Sequence, residues 1–127
     1  ITLYQRMEDI HTKQELLAMM DEIKDNYGKL PKAVQLLFEK KRLDICINEV
    51  HVDAFRELPK AVELTFTSAW SNSIDGVALF EMMTTISKNI TIRFVNGKIT
   101  MKLPKIKDWL YIVIEVLERT EPMGKEA

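Results

Sequence analysis

Four groups of residues in this 127-residue chain have side chains capable of chemistry. The first is Glu49, His51 and Asp53 in "EVHVD", which would share one face of an extended segment. Carboxylate and imidazole suit a divalent metal, and the same trio could serve a hydrolase. No second ligand pair accompanies it, so a polar strand edge is the preferred reading of the trio. The second group is two isolated residues. His11 adjoins Thr12 at a helix entry, where capping or exposure explains it. Cys46 stands between Ile45 and Ile47, as a small buried hydrophobe does. The third is Lys98, Lys102, Lys105 and Lys107, a basic strip able to meet phosphates but without aromatic stacking partners. Lysines there also guard a strand edge against pairing. The fourth is Asp21, Glu22 and Asp25. Glu22 and Asp25 are three positions apart, hence neighbours on one side of a helix. Near that helix's C-terminus they oppose its dipole, a cost that basic residues of a partner would offset. A solvated face with Lys24 and Lys29 nearby is the plain alternative.

Other chemistries lack their parts. No G-x-S-x-G, Gly-rich phosphate loop or H-E-x-x-H occurs, and the four glycines all suit turns, caps or helix starts. Met19, Met20, Met82 and Met83 fall at helical positions and read as core filler. A net charge of −1 gives no overall footprint for nucleic acid or an anionic membrane. One cysteine excludes an internal disulfide framework and fits a reducing cytosol. No apolar run reaches the roughly 18 residues of a membrane span. The chain opens on Ile1 rather than Met and enters a helical pattern at once, which suggests a piece of a longer protein.

The elements that would position these residues can be read from periodicity. "TLYQRMEDI" puts Leu3, Met7 and Ile10 on one helical face. In "HTKQELLAMMDEIKDNYG", Thr12 and Glu15 have capping-box spacing, Leu16, Met20, Ile23 and Tyr27 form a stripe, and Gly28 suits a helix stop. "LPKAVQLLFEKKRLDICINEV" restarts a helix with Pro31 in its first turn. Val34, Leu37 and Phe38 take one side, and Leu36, Leu43, Ile47 and Val50 an adjacent one. Leu43, Ile45 and Ile47 also alternate as a strand would. Val62, Leu64 and Phe66 alternate with polar residues as a half-buried strand, with Val52–Arg56 as partner and "ELPK" as the turn. Asp75 is a helix N-cap candidate ahead of Val77, Phe80 and Met83/Thr84. Asn96-Gly97 between alternating apolar residues marks a type I′ hairpin. Ile106, Trp109, Leu110, Val113, Val116 and Leu117 line a closing helix. Helices followed by antiparallel strands predict an α+β domain, with N-terminal helices packed on a small mainly antiparallel sheet and further helices behind. The pentapeptide LPKAV occurs twice, at Leu30–Val34 and Leu58–Val62, once in a helical and once in a strand period.

"LYQRMEDIHTKQELLAMMDEIKDNYGKLPKAVQLLFEKKRL" resembles the C-terminal domain of the bacterial transcription-repair coupling factors, the Mfd family. The matching positions are Leu3-Tyr4-Gln5-Arg6, then Glu22, Ile23, Asp25, Tyr27, Gly28, Leu30 and Pro31, then Arg42-Leu43. The match is specific over residues 3–43 and architectural over 44–119. Where the family has Arg after the Asp this chain has Asn26, where it has Phe before the Gly this chain has Tyr27, and "ELPK" replaces a glycine-rich turn.

The resemblance implies a regulatory domain over 1–119, followed by a polar tail over 120–127. It implies no catalysis and no cofactor in this segment, ATP and magnesium belonging to motor domains elsewhere in such proteins. It also implies a clamp onto the UvrB-like module of the same polypeptide that masks UvrA binding and restrains the motor. RNA polymerase would be an indirect partner, the bacterial cytoplasm the location, and neither DNA nor membrane a direct ligand. Glu22 and Asp25 would belong to the clamp surface. Apart from the resemblance, the alternative is a stand-alone α+β module that binds nucleic acid through the lysine-bearing hairpin.

Overall fold

The computed structural model describes residues 2–125. In order these form α1 (Leu3–Glu8), α2 (Lys13–Tyr27), α3 (Lys32–Ile47), β1 (Val52–Glu57), β2 (Ala61–Phe66), α4 (Ser68–Ser73), α5 (Gly76–Ile86), β3 (Thr91–Val95), β4 (Lys98–Pro104), α6 (Trp109–Thr120) and a 3-10 turn, Pro122–Lys125. The class is α+β, as the sequence predicts. The chain divides into two compact units, Ile1–Ile45 and Cys46–Ala127, and the division falls inside α3.

The first unit is helical, and its entries are set by side chains. Thr2 and Gln5 form a capping box on α1, and Thr12 and Glu15 form one on α2. In each, a threonine oxygen and a longer side chain satisfy N–H groups that the helix leaves unpaired. The core gathers Met7, Ile10, Leu16, Met19, Ile23, Leu30 and Phe38. The buried stripe of α2 is therefore Leu16, Met19 and Ile23; Met20 is only partly buried, and Tyr27 is 80% exposed. Positions i, i+3 and i+7 keep to one narrow line, and Tyr27 lies on the last turn where that line runs out. Gly28 ends α2 at φ 75°, ψ −140°, a region that essentially only glycine occupies. Pro31 stands just before α3, its carbonyl accepting from the Val34 and Gln35 N–H groups. Leu43, Ile45 and Ile47 are helical rather than extended. Leu36 (44%) and Val50 (93%) are exposed, so the adjacent apolar face expected on α3 does not extend to them.

The second unit is built on an antiparallel sheet in the order β1-β2-β4-β3. Alternation decides its faces: Val62, Leu64, Phe66, Ile99, Met101 and Leu103 are buried, while Glu63, Thr65, Thr100 and Lys102 point the other way. Asn96 (φ 52°) and Gly97 (φ 79°) supply the two positive-φ residues of the hairpin turn.

α4 has no signature in the sequence, because the six residues of "SAWSNS" carry too few apolar side chains for a period. It is anchored by Thr67, which caps it, and by the buried Trp70. Ser71 Oγ accepts from the Ile99 N–H at 2.8 Å, taking over where β2 leaves β4. In α5, Asp75 caps as expected, but Leu79 and Met83 are buried while Val77 and Phe80 are exposed. α6 buries Leu110, Val113, Ile114, Val116, Leu117 and Thr120, and Ile106 ahead of it is exposed. The polar tail expected from position 120 is displaced: Thr120 is wholly buried inside α6, and the chain is ordered as a 3-10 turn through Lys125. Residues 126 and 127 of that tail lie outside the described residues.

Candidate functional site

Glu22 and Asp25 are exposed on α2, whereas Ile23 between them is buried. Glu22 is not a lone carboxylate: its Oε2 pairs with the Arg6 guanidinium of α1. The side chains of Arg6 and Glu22 are 42% and 49% exposed. Such a pair contributes at most about 1 kcal/mol and exchanges readily with another cation. The sequence placed Arg6 and Glu22 in separate motifs; their pairing could have been sought from two adjacent amphipathic helices, each with an outward charge. Beside the pair is a groove of about 470 Å³ whose lining includes Leu3, Arg6, Ile23, Tyr27 and Leu30.

The trio in "EVHVD" is not brought together. His51 is buried, with Nε2 3.1 Å from Thr120 Oγ1. The Thr120 hydroxyl also lies 2.8 Å from the Val116 carbonyl and 3.1 Å from the Leu117 carbonyl of its own helix, to which it donates. The His51 ring stacks on Phe66 at 5.5 Å and meets Trp70 at 5.8 Å. Trp70 Nε1–H in turn donates to the Thr120 carbonyl at 2.9 Å. This polar-aromatic cluster joins the start of the sheet to the end of α6. Asp53 turns instead to Lys98 Nζ at 2.9 Å. Among the described residues no group of three or more His, Cys, Asp or Glu side chains is placed to hold a metal ion.

The basic strip is likewise divided. Lys98 pairs with Asp53, and Lys105 pairs with Glu57 at 3.2 Å while its Nζ lies 5.0 Å above the Trp109 ring. Lys102 and Lys107 are exposed. His11 is exposed, and its backbone N–H donates to Glu15 Oε1. That donor, followed by the Thr12 hydroxyl, holds the Glu15 carboxyl below its ordinary pKa. Cys46 is buried, as expected for a small hydrophobe.

These features define an α+β module that carries ion pairs at its surface, Arg6–Glu22, Lys98–Asp53, Lys105–Glu57 and Arg119–Glu115 among them. Residues 1–77, more than half of the chain, match the model of the TRCF domain, and the chain belongs to that family. It is 25% identical over 130 residues to the transcription-repair-coupling factor of Bacillus subtilis, a match covering 99% of this chain and 11% of that protein. With the corresponding protein of Staphylococcus epidermidis it shares 20% identity over 110 residues, 87% of this chain and 9% of that one. The chain thus spans only about a tenth of the length of these curated relatives. Its fold is similar to that in the crystal structure of the C-terminal domain of transcription-repair coupling factor. That likeness has a TM-score of 0.66 and 17% identity, and covers 93% of this chain and 78% of the other. Among the described residues no helix is long and apolar enough to cross a membrane.

Proposed function

We propose that this chain is a non-catalytic regulatory domain of a bacterial, cytoplasmic transcription-repair coupling factor. In this reading it clamps the UvrB-like module of the same polypeptide, masks the surface that would bind UvrA, and restrains a motor that acts on RNA polymerase. The observation that carries the reading is the exposed Arg6–Glu22 pair with Asp25 one turn away. An arginine of this chain already occupies the carboxylate, so a partner arginine can replace it at little cost. An exchange of near-equal pairs suits a switch that must both close and open. The tether supplies high effective concentration, and charge complementarity sets register more than affinity. ATP and magnesium belong, in this reading, to motor domains outside the chain, and regulation is assigned to 1–119.

The test is charge reversal. In the full-length protein, Glu22→Arg with Asp25→Arg should raise UvrA binding while the thermal midpoint of the isolated domain changes little. Unchanged UvrA affinity would remove both residues from the mechanism. The isolated domain should show no ATPase activity and only salt-sensitive, non-specific affinity for duplex DNA; a defined shift of duplex DNA at moderate salt would favour the nucleic-acid reading instead.

A further inference from the structure

The sheet has two edges, and they are built differently. β1 is protected in the usual ways: its register shifts between Val52 and Ala54, and Asp53, Arg56 and Glu57 put charge along it. β3 has no register shift against β4, no proline and no lysine, and its single charge is Arg93.

Its hydrogen-bonding direction follows from the turn. Val95 and Lys98 flank the two-residue turn, so that pair exchanges both backbone bonds, as do Arg93 with Thr100 and Thr91 with Lys102. The alternate pairs, Phe94 with Ile99 and Ile92 with Met101, exchange none. The Ile99 N–H accordingly turns away from β3, to Ser71 Oγ. The backbone groups of Ile92 and Phe94 therefore face outward from the open edge.

Side chains add two further features. Ile92 and Phe94 share a face with Met101 and Ile99, yet Ile92 is only half-buried and Phe94 is 62% exposed. They form an apolar shelf at the margin of the core. The opposite face beside β3 carries Arg93 and Lys102, both exposed, while Lys98 in the neighbouring row is paired with Asp53.

We infer that the β3 edge is a docking site for an extended peptide in which apolar and acidic residues alternate. The incoming strand would bond to the outward N–H and C=O groups of Ile92 and Phe94. Its apolar side chains would extend the shelf, and its acidic ones would meet Arg93 and Lys102 on the other face. A second copy of this chain fits less well. Antiparallel pairing of two β3 strands about their centre would set Arg93 opposite its own counterpart, with the exposed Lys102 adding to the repulsion. Charge thus selects an acidic partner over self-association. This inference is independent of the acidic clamp surface on α2.

The experiment uses this domain and a short fluorescent peptide alternating valine and glutamate, with a valine–lysine peptide as control. Anisotropy titration should give saturable binding of the glutamate peptide, at least about tenfold tighter than the lysine peptide. Arg93→Glu should reverse that preference. Phe94→Pro removes an outward N–H without breaking a bond to β4, and should abolish binding while the hairpin amide signals persist. Phe94→Ala, which keeps the N–H, should weaken binding by a smaller factor. Protection of the Ile92 and Phe94 amides from hydrogen exchange on adding peptide would locate the contact. Equal binding of the two peptides, no saturation, or a preference unchanged by Arg93→Glu would overturn the proposal, as would a dimer in sedimentation that the peptide does not dissociate.

Discussion

The pentapeptide LPKAV adopts two structures in one molecule. In the first copy Leu30 is buried, Pro31 offers its carbonyl to the Val34 and Gln35 N–H groups, and α3 begins at Lys32. In the second, Leu58, Pro59 and Lys60 make a turn, and Ala61 and Val62 open β2. There the backbone partners are remote: the Lys60 carbonyl accepts from Lys105 N–H, and Val62 sits in register between Glu57 and Leu103. Local preference is a few tenths of a kcal/mol per residue, and the neighbours decide the outcome. The first copy follows a glycine stop and precedes a 3.6-residue period. The second is flanked by strands that supply a complete ladder on both sides.

The largest effect should come from one substitution made in both copies. Val62 is wholly buried in a central strand, so Val62→Ala should cost about 2–4 kcal/mol from lost burial and the cavity left behind. Val34 is half-buried on the first turn of a helix, where Ala is the better helix former, so Val34→Ala should cost under about 1 kcal/mol. Urea denaturation followed by circular dichroism compares them; equal costs would mean that context does not separate the copies. A smaller effect belongs to the punctuation before the first copy. Gly28→Ala meets no steric neighbour, so its cost is the backbone conformation alone, on the order of 1–2 kcal/mol. The loss should register at the α2–α3 amides in hydrogen exchange and leave β2 unchanged.

The same contrast accounts for what was legible in the sequence. Features written within a few residues were readable: the Thr12–Glu15 box, the Asp75 cap, the Asn96-Gly97 turn, and the strand alternation of Val62, Leu64 and Phe66. Features set by distant partners were not. On α5 two apolar stripes compete, Val77 and Phe80 against Leu79 and Met83, and only tertiary packing chooses the second. His51 shared a local pattern with two carboxylates, but its partners Thr120, Phe66 and Trp70 lie far along the chain or on an element too short to be periodic. On the candidate interaction surface the exposure of Glu22 and Asp25 was readable from helical spacing, whereas the Arg6 pair depended on how α1 meets α2.

The smallest effect concerns pH, and it should separate the two contexts most cleanly. Glu15 accepts from the His11 and Thr12 N–H groups, and the His11 bond is the main cause of its lowered carboxyl pKa. A group held below its unfolded value favours the folded state while ionised. Its contribution is complete above the ordinary 4.5 and disappears as pH falls through the lowered folded value. A carboxyl titration by NMR should therefore show Glu15 with an inflection below that of an exposed glutamate. Over the same acid range the first-turn amides of α2 should lose protection, because protonation weakens the capping box. Glu15→Gln should remove this pH dependence while keeping an acceptor for the cap. β2 amides around Val62 should not respond in either protein, since no part of that ladder depends on Glu15. If β2 followed the same titration, the acid response would be global unfolding, and the cap would have no separate role.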